Sequence, residues 1–366
     1  VNIPPFRALL KGLTLAVILS LLLPLLPEAS QVSAYNLLFP GRPRLPFGET
    51  PAQSYNLSLY DIPAMFAAHE ISQPKAGDEF RVLVLGDSSV WGTLLRPEET
   101  LPAQLNAHNL AFCGKAARFY NLGYPTISLT KDLLLLDYAA RFQPDAILWL
   151  TTLEAFPLDK QLASPLAANN AERIASLISR YRLTLDPRDL ALAQPTYWSR
   201  TLPGQRRALA DLIRLQLYGV PWAATGIDQF YPASYPPPQT DFEEQDDKFH
   251  DLHPPLDENQ LAYPILRAGI EHSPAQVWLV NEPMLISAGE NGHIRYNFFY
   301  PRWAYDAYRA QLADLANRVG WNYIDLWDLL PPEEFTNSAI HLTPAGESLL
   351  AKALAERIKF DCYPAK

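Results

Sequence analysis

The strongest constraint on this chain is a repeated couplet: a short apolar run, then a longer segment with helical spacing. FRVLVLGDS at 80–88 is followed by EETLPAQLNAHNL, and FYNLGYP at 119–125 by LTKDLLLLDYAARF. DAILWLTTL at 145–153 is a third apolar run, and AQVWLVNEP at 275–283 precedes the helical PRWAYDAYRAQLADLANRVG. WNYIDLWDLL and TPAGESLLAKALAERI close the series. Strands that alternate with helices form a parallel sheet covered on both faces, joined by right-handed crossovers. The pattern therefore predicts an α/β fold with a five-stranded parallel sheet. Ligands in such folds bind outside the carboxyl ends of the strands. Ser88, Gly123, Thr151–Glu154 and Asn281–Glu282 all fall at predicted strand ends. The fold rule itself puts them there, so position alone does not make them a site.

Residues 155–275 break the rhythm and read as a large insertion in the α/β domain, which spans 80–366. The insertion holds two helical segments, ANNAERIASLISRYRLTL and GQRRALADLIRLQLYGV, then a Pro-, acid- and aromatic-rich tract at 231–255. A structureless loop of that size is uncommon, so part of it is expected to be a helical cap. Its Tyr-rich tract either borders a substrate groove or is a solvated excursion. Residues 35–79 read as a linker and N-terminal flap with a short helix around Ile62–His69. A chain of 366 residues, 48% hydrophobic, is long enough for one large core. A formal charge of −9 argues against a nucleic-acid partner, because phosphate contacts need clustered Lys and Arg. With 34 prolines against 16 glycines, the loops are expected to be stiff.

The N-terminal stretch bears on compartment. Arg7 and Lys11 precede the apolar GLTLAVILSLLLPLL at 12–26. The run falls short of the roughly 20 residues that span a bilayer, unless Phe6–Leu10 contribute and the cations snorkel. Val32-Ser33-Ala34 resembles a small-residue cleavage site. Residues 1–34 are thus either a transmembrane anchor or a cleaved signal peptide. Both place the remainder outside the cytoplasm, membrane-anchored in one case and secreted in the other. The two cysteines, Cys113 and Cys362, lie in no zinc-binding spacing. Export would permit a disulfide between them, but sequence does not show that they meet.

A serine needs a base, and a place for developing negative charge, before it does chemistry near neutral pH. Ser88 follows a buried strand and the tight turn at Gly86, and the next helix aims N–H groups at the same spot. His341, in FTNSAIHLTPAGESLLAKAL, precedes the last helix and can reach back to the first strand as a base. Judged singly, each also reads as an ordinary polar turn or capping residue.

GDSS at 86–89, NLG at 121–123 and IHLTPAG at 340–346 resemble blocks of the SGNH (GDSL-type) hydrolase superfamily, in the same order. The resemblance covers residues 80–154 and 276–358. It implies a flavodoxin-like three-layer α/β/α fold and a serine esterase or O-acyltransferase that needs no cofactor or metal. By family role Ser88 is the nucleophile, His341 the base, and the Ser88 and Gly123 N–H groups line the oxyanion hole. Membrane-anchored relatives often act on acetyl groups of surface polysaccharides. That substrate class, and a membrane acyltransferase as partner, are implied only by the resemblance.

The chain departs from the family pattern twice. Where the family has Gly-x-Asn-Asp, this chain has Thr151-Thr152-Leu153-Glu154, and leucine donates no hydrogen bond. Thr151 or Thr152 is the expected substitute donor, with Thr152 the one placed in the oxyanion hole. Where the family has Asp three residues before the His, this chain has Ser338, with Asn337 beside it. An asparagine can orient an imidazole through its carbonyl, as in Cys-His-Asn sites. The expected catalytic set is Ser88, His341 and Asn337, with Asp87, Glu154, Asn281 and Glu282 facing the substrate. The alternative is a catalytically degenerate glycan-binding or accessory protein.

Three other features compete. Asn281-Glu282-Pro283 resembles the acid/base motif of retaining (β/α)8 glycosidases, with Asp325 or Asp328 as a second carboxylate. Five strands do not make an eight-stranded barrel. His250-x-x-His253 has zinc spacing on a helix, but Pro254 and Pro255 follow, so a solvated pair is expected. In YNFFYPRWAYDAYR at 296–309 the helical part is expected to pack on the sheet, leaving the leading aromatics for a sugar ring.

Overall fold

The computed structural model describes residues 5–22, 41–48, 60–206, 229–242 and 246–362, plus positions 208–210, 213, 217 and 244. The Val32–Ala34 cleavage-like triplet and most of GQRRALADLIRLQLYGV lie outside the described residues. Six strands form one sheet: β1 (Glu79–Gly86), β2 (Ala111–Phe112), β3 (Lys115–Gly123), β4 (Ala146–Thr151), β5 (Gln276–Asn281) and β6 (Asn322–Asp325). The spatial order is β2-β3-β1-β4-β5-β6. All neighbours pair in parallel except β2, which forms a short antiparallel hairpin with β3. The expected five parallel strands are present, and β2 adds a sixth at the edge. Two residues are too few to show a period, which is why the sequence did not reveal it. The hairpin turns at Cys113 and Gly114, both with positive φ (54° and 75°), as a tight two-residue turn requires.

The parallel strands are apolar on both faces because each face is buried. Leu83, Leu85, Ile147, Trp149 and Leu279 enter one core, while Val82, Val84, Leu148, Leu150 and Val280 enter the other. The first core is covered by helices that include α5 (Leu129–Ala139), α8 (Tyr263–Glu271) and α9 (Arg302–Val319). The second is covered by α4 (Leu101–Ala107) and α10 (Pro344–Arg357). The result is a three-layer α/β/α sandwich.

Earlier in the chain lie α1 (Pro5–Leu22), α2 (Ile62–Ala68) and α3 (Ser88–Trp91). Among the described residues no helix is long and apolar enough to cross a membrane. The insertion begins with α6 (Pro165–Ala168) and the amphipathic α7 (Ala171–Tyr181). Its last part does not belong to an excursion. Helix α8 is the crossover that delivers the chain to β5, and Gly269 lets it press on Trp149, whose ring a Cβ there would meet at 2.5 Å.

The N-terminal flap is built into the body. The Arg44 guanidinium donates to the carbonyls of Gly92 and Leu95, each at 3.0 Å, and lies 4.2 Å over the Trp91 ring. Trp91 Nε1 donates to the Leu45 carbonyl at 2.9 Å. His69 is fully buried: Nδ1 accepts from the Ile71 N–H, so Nε2 carries the proton and donates to the Asn121 carbonyl at 2.9 Å. At the opposite end, Cys113 and Cys362 form a disulfide that ties the β2–β3 turn to the chain beyond α10.

Candidate active site

Strand order reverses between β1 and β4, with β3 on one side of β1 and β4 on the other. Such a switch point opens a crevice at the carboxyl ends of the strands. Ser88 stands there, first in α3, after the Gly86 turn. The turn is tight for a physical reason. A Cβ on Gly123 would meet the Trp91 nitrogen at 2.3 Å, so the end of β3 touches the backbone of α3. Beneath the turn, fully buried Lys131 donates to the Gly86 carbonyl at 2.6 Å and pairs with Asp132 at 2.5 Å. Asp132 in turn accepts from Trp149 Nε1 at 3.1 Å.

His341 reaches this turn from the segment before α10. Its Nε2 lies 2.8 Å from Ser88 Oγ, and its Nδ1 lies 2.9 Å from Asn337 Oδ1. An amide oxygen only accepts, so Nδ1 carries the proton and Nε2 is left to accept from the Ser88 hydroxyl. Residues 335–342 fold back in a short bridge, Phe335 to Leu342, and the Thr336 N–H donates to the His341 carbonyl at 2.8 Å. That turn carries Asn337 round to the imidazole. The Thr343 hydroxyl then caps α10 by accepting from the Gly346 N–H at 3.0 Å. Burial pushes the His341 imidazole down to about 4. Among the described residues no carboxylate bonds to the ring to oppose this.

The structure thus brings Ser88, His341 and Asn337 together, whereas the oxyanion donors are only partly in place. The Ser88 N–H lies in the first turn of α3, where no intrahelical carbonyl is within reach. The Gly123 N–H is held by Asn121 Oδ1 at 3.0 Å, and Asn121 is itself fixed by donating to the Val90 carbonyl at 2.8 Å. Thr152 is fully buried, with its hydroxyl 2.9 Å from that of Tyr300. The expectation of Gly123 and Thr152 as free donors is therefore corrected: both have internal partners. Leu153 sits in the core.

The four residues expected to face substrate are turned inward instead. Asp87 caps α3, its carboxylate accepting the Ser89 N–H at 2.8 Å. Glu154 pairs with Lys160 and with His250 Nε2. Asn281 donates to Asp325 Oδ1 at 2.8 Å and accepts from the Tyr305 and Tyr308 hydroxyls. Glu282, only 2% exposed, accepts from Ser89 Oγ at 2.5 Å. Strand ends in this sheet are roofed by neighbouring segments, and a buried polar group must find a partner there. The glycosidase reading fails on the same contacts, because Glu282 faces Ser89 and the sheet is open, not a barrel.

His250 is not a solvated residue either. Its Nδ1 lies 3.2 Å from Asp159, and the Glu154 hydrogen bond is the main cause of its raised pKa. It latches the insertion loop to the turn after β4. Among the described residues no cluster of His, Cys, Asp and Glu could hold a metal ion. Tyr300, Tyr305 and Tyr308 are fully buried, while Phe298 and Phe299 stay part-exposed at the leading end of the aromatic run. Sequence reasoning missed the buried Lys131–Asp132 pair, the Ser89–Glu282 contact and Glu347. Lys131 and Asp132 are charged residues beside an apolar helical run, and that was their only signal; nothing in the sequence pairs Ser89 with Glu282 or marks Glu347 as buried.

No protein-family model and no curated protein matches this chain. Several solved structures are similar at probability 1.00. A carbohydrate acetylesterase family member from Sinorhizobium meliloti is 11% identical, with 75% of this chain and 95% of that chain covered, at a TM-score of 0.32. A member of the lipolytic protein G-D-S-L family from Veillonella parvula is 11% identical, covering 75% and 96%, at 0.34. The lipase/acylhydrolase from Enterococcus faecalis is 12% identical, covering 77% and 99%, at 0.33. At such identities and scores these likenesses carry no weight for the site. The Ser88–His341–Asn337 geometry stands on its own distances.

Proposed function

We propose that this chain is an exported serine esterase or O-acyltransferase acting on ester groups, with acetyl groups of a cell-surface carbohydrate as the substrate class. The observation that carries the reading is the line from Asn337 Oδ1 through the imidazole to Ser88 Oγ, with contacts of 2.9 and 2.8 Å. A hydroxyl, a neutral base and an orienting group in hydrogen-bond reach are what acyl transfer to serine requires.

Ser88 Oγ attacks the ester carbonyl carbon as its proton passes to His341 Nε2. The carbonyl π electrons move onto oxygen, and the Ser88 N–H donates to that oxyanion. Collapse expels the alkoxide, which takes the proton from Nε2 and leaves as an alcohol. Water, or a sugar hydroxyl in a transferase, then attacks acyl-Ser88 with His341 again as base, regenerating the serine. The Cys113–Cys362 disulfide supports the exported reading, since such bonds persist in oxidising compartments. The cationic Arg7 and Lys11 beside the apolar N-terminal run support a membrane tether.

The test is fluorophosphonate labelling of the full chain, with the modified peptide mapped by mass spectrometry. Label on Ser88 that disappears in His341→Ala is the expected result. A second reading has its own observation: Gly123 N–H and Thr152 hydroxyl are both engaged. A glycan-binding or accessory protein of a membrane acyltransferase system would tolerate that. Folded protein that takes no label, while retaining glycan binding, would favour this second reading.

A further inference from the structure

Behind the nucleophile turn is a small cavity of about 10 Å³, lined by Ser89, Glu282, Ile340, Leu342 and Glu347 among others. Two of its walls are carboxylic acids. Glu282 is 2% and Glu347 1% exposed. Glu282 Oε1 and Glu347 Oε2 have no hydrogen-bond partner, while Glu282 Oε2 accepts from Ser89 Oγ at 2.5 Å. A buried polar oxygen without a partner is costly; most of the lining is apolar, but the volume just admits one water molecule, and the two carboxyl oxygens offer it partners. The cavity also joins two parts of the site. Ser89 is the neighbour of Ser88, and Ile340, Leu342 and Glu347 belong to the segment and helix that carry His341.

We propose that Glu282 is a positioning residue: with Glu347 and one water molecule held between them, it braces Ser89, and through it Ser88, against the segment bearing His341. The positioning role rests on the esterase reading; the water-bridged acid pair does not. A neutral pair suits the surroundings. The groups facing Glu282 are Asp87 from the nucleophile turn, Asp132 from α5 and Glu347 from α10, with Lys131 as the cation beside Asp87 and Asp132. Burial, then the Asp87 charge, push the Glu282 carboxyl well above its ordinary range, and burial does the same to Glu347.

The experiment compares wild type, Glu282→Leu, Glu282→Gln and Glu347→Gln. It reads the rate of fluorophosphonate labelling at Ser88 and the thermal unfolding midpoint from pH 5 to 9. Expected are a labelling rate at least tenfold lower in folded Glu282→Leu, substantial rescue by Glu282→Gln, and loss in Glu282→Gln of the wild-type decline in rate at alkaline pH. The unfolding midpoint of wild type should fall relative to both Gln variants as pH rises, because ionising either acid in the folded state is disfavoured. Folded Glu282→Leu that labels at the wild-type rate overturns the positioning role. Unfolding curves that stay parallel across the pH range overturn the acid pair. Wild type that never labels overturns the esterase reading and the positioning role together, and the unfolding curves still decide the pair.

Discussion

An imidazole oriented by an amide differs measurably from one oriented by a carboxylate. With Asn337 on Nδ1, no neighbouring anion favours the protonated ring, and burial holds His341 at about 4. In the proposed mechanism the neutral ring is the base. Activity should therefore persist from neutral to mildly acid pH and fall only as pH drops through about 4. Asn337→Asp places a negative charge beside the ring and raises its pKa, so the acid limb of the kcat/KM profile should move up by about a unit or more. Asn337→Ala removes the orienting group, with an expected loss of roughly 10² in kcat. Ser88 and His341 were legible as a pair through the resemblance of their sequence blocks, and Asn337 was offered only as the uncharged neighbour of the position where an Asp was expected. Which way a strand-end side chain turns is not marked. Asp87, Glu154, Asn281 and Glu282 face inward because α3, Lys160, α9 and Ser89 offer partners that the sequence does not display.

At the scale of elements, the turn that carries Ser88 depends on crowding. Adding a methyl group at Gly123 drives it into the Trp91 backbone nitrogen, which cannot move without displacing α3. Gly123→Ala is expected to cost about 2 kcal/mol or more in urea unfolding, and to lower the labelling of Ser88. Lys131→Met removes the donor to the Gly86 carbonyl and leaves Asp132 buried without its cation. Removing one partner of a buried pair costs about 3–5 kcal/mol, which the same unfolding series would measure. Elements with many periods were easy to read: the five parallel strands, α2, α5, α9 and α10 all lie where the pattern put them. Helix α8 lies within residues 155–275 and is not among the two helical segments the sequence suggests there. Its contact with Trp149 makes it part of the layer that covers the sheet.

Across the whole molecule, the sheet order brings distant segments to one crevice. Ser88 and His341 are 253 residues apart and meet because β1 is central and the last segment returns to its end. The Cys113–Cys362 disulfide spans 249 residues and fastens the β2 edge to the segment that follows α10. Closing so long a loop restricts the unfolded chain, so Cys113→Ser or reduction should lower stability by about 2–4 kcal/mol, read as a fall in Tm. Because the disulfide lies at the β2 edge and not at the carboxyl ends of the strands, Ser88 labelling at 25 °C should not change.

The amino-acid pattern by itself determined the class of fold, since alternating strand and helix periods admit only a covered parallel sheet. It also offered Ser88 and His341 as a candidate pair, but only through the resemblance of GDSS, NLG and IHLTPAG to a known set of blocks, since each residue judged singly reads as an ordinary polar turn or cap. Tertiary structure alone decided the rest: that Asn337 reaches the imidazole, that the Gly123 N–H is occupied, that the cysteines meet, and that Glu282 and Glu347 share one cavity. These are contacts between segments remote in sequence. Their partners follow from chain path and packing, which local periodicity does not encode.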